Sequence, residues 1–82
     1  MKNKYFRTTN LNLAVFLFAS DQQVCGVDPV GAEQKSFAFI KSDFLEELVW
    51  LYSFGDKNDD RLLVSVHKYE QARRGLLDRL ND

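Results

Sequence analysis

The chain has 82 residues, one cysteine, one histidine and a net charge of −1, with 45% hydrophobic and 13% aromatic side chains. That length sets one domain over 1–82 with a thin core, because a chain this small buries only about 60% of its unfolded surface. The composition excludes a polar disordered chain, a disulfide-stapled scaffold, since Cys25 has no intrachain partner, and a protein that is basic throughout.

Met1–Arg7 is basic and polar, with Lys2, Lys4 and Arg7 and no apolar core of its own. Leu11–Ala19 is apolar but far shorter than the ~20 residues of a membrane span. No clean small-x-small cleavage pattern follows it, so cytoplasm is the expected compartment and no membrane association is expected. Leu11, Ala14, Val15 and Phe18 fall at i, i+3, i+4 and i+7, the spacing of one helix face. Leu13, Phe16 and Leu17 widen that face until most of the helix needs covering. Leu11, Leu13, Val15 and Leu17 also alternate as in a strand. Thr8 and Thr9, which can cap a first turn, and Ala14 favour a helix from about Thr9 to Ser20.

Gln22–Asp28 reads as a strand, with Gly26 marking a bulge or a close backbone approach. Pro29, Val30 and Gly31 supply the turn, and Lys35–Ile40 returns. Phe37 and Phe39 point to one face of that strand, and Ala38 and Ile40 to the other. Both faces are apolar, which predicts a strand covered on both sides or placed in an interface.

The next helix starts at Ser42 or Asp43. Asp43 and Glu46 have capping-box spacing and suit the positive end of a helix. Phe44, Leu45, Leu48, Val49, Leu51 and Tyr52 form its apolar stripe, Trp50 falls off the centre, and Gly55 caps the end. Asp56–Asp60 is a charged loop. Leu62–Val64 is a short third strand or an extended lead-in. A last helix, about Val66–Leu80 with Ser65 as N-cap, puts Val66, Tyr69, Ala72, Leu76 and Leu80 inward, and Lys68, Gln71, Arg74, Asp78 and Arg79 outward. Gly75 in its middle costs about 1 kcal/mol relative to Ala, which suggests a close contact. The expected fold is α+β, in the order α-β-β-α-α.

The run Tyr5-Phe6-Arg7-Thr8-Thr9-Asn10-Leu11-Asn12-Leu13-Ala14-Val15-Phe16-Leu17, the strand Phe37-Ala38-Phe39 and the segment Tyr69 to Arg74 resemble a family of small bacterial and mobile-element proteins of unknown function. The resemblance extends over nearly the whole chain. Asn10 departs from it, standing where the family places Asp, and so does Asp21, near where members end the first helix with Gly. The resemblance implies a compact accessory protein encoded near mobile DNA. It carries no activity, and therefore no catalytic residue.

Catalysis needs a nucleophile, a base in reach and a group that orients them. Cys25, on an apolar strand with no flanking charge, reads as an inert core thiol. His67 reads as a surface residue. One Cys and one His are too few for zinc. Asp56, Asn58 and Asp60 match the start of an EF-hand, but Arg61 replaces its glycine and His67 its bidentate glutamate. Glu46 and Glu47 are sequence neighbours on different helix faces. No catalytic residue, metal site or cofactor is expected, and the chain is read as a non-enzyme.

The charge is unevenly spread: the middle is acidic and both ends are basic. Three functional readings follow. Aromatic excess in Phe37, Phe39, Trp50, Tyr52 and Phe54, together with the free edges of a hairpin, points to a protein partner or a second copy of the chain. Lys2, Lys4, Arg7, Arg61, Lys68, Arg73, Arg74 and Arg79 would bind nucleic acid if the two ends met on one face, with Tyr5 and Phe6 stacking on bases. An aromatic pocket beside Arg73 or Arg74 would hold a nucleotide-like ligand.

Overall fold

A computed structural model describes residues 4–29 and 34–80, the side chain of Leu80 excepted. The elements run β1 (Tyr5–Thr8), α1 (Leu11–Ala19), β2 (Val24–Pro29), β3 (Lys35–Ile40), α2 (Asp43–Phe54), a single 3-10 turn (Asp60–Leu62) and α3 (Val66–Leu80). The α+β class and the order helix, hairpin, two helices hold. A third strand is present, but it is Tyr5–Thr8 at the basic N-terminal end. Residues 62–64 close the 3-10 turn and lead into α3 in extended form. Four residues ahead of a strong helical signal gave β1 no pattern of its own, and it is a strand only because β3 offers it an edge. The turn expected at Val30 and Gly31 lies outside the described residues, as does Lys2.

The sheet order is β1-β3-β2, with both outer strands antiparallel to β3. β1 and β2 are therefore parallel to each other, and α1 crosses between them. Register sets the faces. Phe6, Phe39 and Val24 form one row and Thr8, Phe37 and Val27 the next; both rows face the helices. Arg7, Ala38 and Gly26 lie on the other face, beside Ser36 and Asp28. No helix covers that face among the described residues: Ile40 is exposed, contrary to a strand covered on both sides. Ala38 and Ser36 are nonetheless buried, and the Arg7 guanidinium and Asp28 carboxylate meet from the two outer strands at 3.5 Å.

α1 is enclosed over most of its surface, with Leu13, Ala14, Val15, Phe16 and Leu17 all buried in succession and Asn12 exposed. A helix apolar all round is stable only where other elements surround it. The sheet, α2 and α3 do so here. Asn10, not Thr8 or Thr9, is its N-cap: its Oδ1 accepts from the Leu13 N–H at 3.1 Å, while Thr8 Oγ1 accepts from the Asn10 N–H. The Thr8 hydroxyl is spent one step earlier, where β1 turns into the helix. At the other end Asp21 has φ 67, the left-handed region. The Gln22 N–H donates to the Leu17 carbonyl and the Asp21 N–H to the Phe18 carbonyl, which satisfies two of the orphan carbonyls of the last turn. The Asp21 side chain pairs with Lys68 Nζ of α3 at 3.2 Å.

Ser42 caps α2, its Oγ accepting from the Leu45 N–H at 3.0 Å. That places Leu45 at the third helical position, so Asp43 and Glu46 form no capping box. Both stay in the first turn, where the helix dipole favours them, and Glu46 pairs instead with Lys41 at 3.3 Å. Gly55 ends the helix as expected. Its φ is negative, and glycine is needed for space: a Cβ there would lie 2.7 Å from the Leu51 carbonyl oxygen. Ser65 caps α3 through the Lys68 N–H. Gly75 makes the close contact expected of it, with a hypothetical Cβ 3.1 Å from the Phe18 ring.

Phe39, Leu17, Leu45, Leu48, Leu76 and Val15 are the largest fully buried side chains. Each such apolar side chain contributes roughly 1.5–3 kcal/mol relative to leaving it in water. Val66, expected in this core, is 74% exposed, because it stands at the first turn of α3 ahead of the contact with α1.

Candidate functional site

The five aromatics singled out from sequence fall in three regions. Phe37 and Phe39 are at most 2% exposed and lie in the core under the helices. They hold the fold and offer nothing to a partner, which corrects their reading as interface residues. Trp50 and Phe54 are 57% and 76% exposed. On α2 the core side is Leu45, Leu48 and Leu51, at i, i+3 and i+6. Trp50 and Phe54, one turn apart, fall on the side opposite to that stripe. Their rings meet at 6.1 Å in a tilted arrangement. Two carboxylates of the same helix, Glu46 and Glu47, stand one turn before Trp50 and pair with Lys41 ahead of the helix and Arg61 of the 3-10 turn. The result is an aromatic pair in a polar rim.

Tyr52 belongs elsewhere. Its ring stacks on Phe16 of α1 at 5.5 Å with planes 30° apart. The two rings line a recess of about 330 Å³ where α1, α2, α3 and the Asp56–Ser65 connection meet. Asn12, Lys57, Leu62, Val64 and Tyr69 complete its lining. None of these but Tyr52 stood out as a site residue in the sequence. The available signals were the i, i+4 pair Asn12 and Phe16 on one side of α1, and Lys57 as the only base in an acidic loop.

The basic residues do not gather. Arg7 reaches across the open sheet face to Asp28. Arg61 is held by Asp59 at 2.9 Å and by Glu47. Lys68 pairs with Asp21, and the Arg79 guanidinium lies 5.4 Å from the centre of the Phe18 ring, a cation–π geometry. Lys4 lies with Tyr5, Lys41 and Asp43 around a hollow at the start of α2. Arg73 and Arg74 flank a shallow hollow on α3 with Tyr69, Glu70 and Leu77, and neither makes an ion pair among the described residues.

Cys25 is exposed, not a core thiol: it is the extra residue of a bulge in the edge strand β2, between Val24 and Gly26. A bulge leaves its extra residue unpaired in the ladder, and here that residue is exposed. Gly26 marks that bulge and has no neighbour near its missing Cβ. The acidic loop uses its carboxylates on itself: Asp56 Oδ1 accepts from the Asn58 N–H, and Asp59 Oδ1 from the Arg61 N–H. The Arg61 guanidinium, hydrogen-bonded to Asp59, lowers that carboxyl from 3.8 to about 2, and Asp59 in turn raises Arg61. Among the described residues no three His, Cys, Asp or Glu side chains are grouped to hold a metal ion. None of the helices among them is long and apolar enough to cross a membrane.

Compared with protein-family models, curated proteins and solved structures, the chain matches none.

Proposed function

We propose that this protein is a non-catalytic binding module that docks another polypeptide on the outward side of α2. The observation that carries the reading is the exposure of Trp50 and Phe54 on a helix whose core side is already complete without them. Two large rings in water are a standing cost of about 1.5–3 kcal/mol each relative to burial. Nothing in the packing of α2 requires them. Tryptophan at the centre of an interface is among the residues that carry most binding energy, and a ring of polar contacts keeps water from it. Lys41–Glu46 and Glu47–Arg61 stand where such a rim would be.

The occupant is a protein surface, either a second copy of the chain or another polypeptide. Sedimentation equilibrium distinguishes a dimer from a monomer. A photo-crosslinker placed at Phe54, compared with one at the exposed Gln71 of α3, identifies a different partner in the source cell. A dimer dissociated by Trp50→Ala, or one protein crosslinked from Phe54 and not from Gln71, supports the reading. A monomer whose crosslinks from the two positions are the same overturns it.

A second reading is nucleic-acid binding, favoured by Arg73 and Arg74 beside Tyr69, which make no ion pair among the described residues. Its affinity would fall steeply with salt. Arg73→Glu with Arg74→Glu would abolish a gel shift seen at low salt, and no shift by the wild type at low salt would end the idea.

A further inference from the structure

The recess between the three helices is lined mainly by aromatic and aliphatic side chains. Phe16 is its floor, buried within α1. Tyr52 lies stacked on that floor from α2, and Tyr69 enters from α3. Val64 adds an aliphatic wall. Its volume of about 330 Å³ falls at the small end of ligand pockets, roughly 300–1,000 Å³. Polar groups are few and unused. The Asn12 carboxamide and the hydroxyls of Tyr52 and Tyr69 make no hydrogen bond among the described residues.

Lys57 is the only charged side chain of the lining, and it has no ion pair among the described residues. Of its acidic neighbours in sequence, Asp56 and Asp59 are engaged by other groups, and the Asp60 carboxylate has no partner among the described residues. Asp56 accepts from a backbone N–H, Asp59 is held by Arg61, and neither they nor Asp60 line the recess. The recess thus presents aromatic faces, neutral donors and acceptors, and one ammonium group, the neighbouring carboxylates lying outside its lining.

We propose that this recess binds a planar aromatic ring carrying a single negative charge. The ring lies against the Phe16–Tyr52 stack and Tyr69, where aromatic contacts add to the area buried. The anion meets Lys57. The amide of Asn12 and the tyrosine hydroxyls orient the ring's polar substituents. A neutral ring forgoes the lysine, and a small anion without a ring forgoes the stack. The site is separate from the Trp50–Phe54 pair, which lies on the opposite side of α2, so the two can be tested independently.

The probes are indole-3-acetate, its neutral counterpart indole-3-acetamide, and acetate. The readout is the amide ¹H–¹⁵N spectrum of the whole protein during titration, with calorimetry for affinity. Indole-3-acetate is expected to shift, saturably, the amides of Asn12, Leu62, Val64 and Tyr69. The neutral amide should bind roughly fivefold more weakly, the upper end for a partly exposed ion pair. In Lys57→Gln, an exposed loop substitution whose spectrum reports directly that the fold is kept, acid and amide should bind alike. Acetate alone should shift nothing in the recess. The proposal is overturned if indole-3-acetate produces no saturable shift at millimolar concentration, if acid and amide bind the wild type equally, or if the shifts map to Trp50 and Phe54.

Discussion

Phe37–Phe39 on β3 and Trp50–Phe54 on α2 are two aromatic pairs, each spaced to present both rings on one side of its element. One pair is fully enclosed and the other stands in water. The difference lies in what each element meets. β3 is the central strand, with a neighbour on either edge and the helices over one face, so any large ring on that face is covered. α2 is a peripheral helix. Leu45, Leu48 and Leu51, with Val49 and the Tyr52–Phe16 stack, attach it on one side, and the rings on its far side stand in solvent. The same side-chain chemistry is thus structural in one region and available in the other.

The largest expected effect breaks the first region. Phe39→Ala should cost about 3–5 kcal/mol, the range for emptying a buried phenylalanine site, read as a lowered midpoint in urea unfolding. Trp50→Ala and Phe54→Ala should each stay within about 0.5 kcal/mol of the wild type, as surface substitutions do. A Trp50→Ala loss approaching that of Phe39→Ala would show that the α2 rings are structural after all.

Gly75→Leu comes next. It drives a side chain into the Phe18 ring across the α1–α3 contact, and overpacking of this kind costs about 1–3 kcal/mol. The same substitution at Gln71, on the outer side of α3, should leave the urea midpoint unchanged or raised.

Smaller still is the end of α1. Asp21→Ala should destabilise by about 1 kcal/mol, because alanine tolerates a positive φ poorly. Asp21→Asn keeps a residue suited to that backbone and gives up only the ion pair to Lys68, so it should lose under about 0.5 kcal/mol. Equal losses in thermal unfolding would mean that the ion pair, not the backbone, matters at Asp21.

The smallest effect concerns Asp59. Its folded-state pKa of about 2 lies below the ordinary 3.8. Its contribution to stability is therefore complete above the unfolded value and is lost as pH falls from about 4 through 2. Carboxyl chemical shifts should show a midpoint near 2 in the wild type and one near the ordinary value in Arg61→Gln. An unchanged midpoint in that variant would separate Asp59 from Arg61.

How much of this was legible in the sequence can be traced residue by residue. Lys35–Ile40 appeared with its observed bounds, because Phe37 and Phe39 alternate and turn residues precede them. Ser65 and Gly55 were legible as helix ends from their chemistry alone. Cys25 was misread because an apolar context in sequence says nothing of a bulge that turns one residue outward. The recess was illegible, since its lining comes from α1, α2, the connecting loop and α3 in nearly equal parts, and no local spacing reports that convergence.

By itself the sequence determined the α+β class, three helices and the hairpin strands, because periodicity and capping are local physics acting over a few residues. The tertiary structure alone decided that Tyr5–Thr8 is a strand, since a four-residue edge exists only by hydrogen bonding to β3. It also decided which aromatics are free. Phe39 and Phe54 are equally apolar, and only the arrangement of elements around them leaves one in the core and the other in solvent.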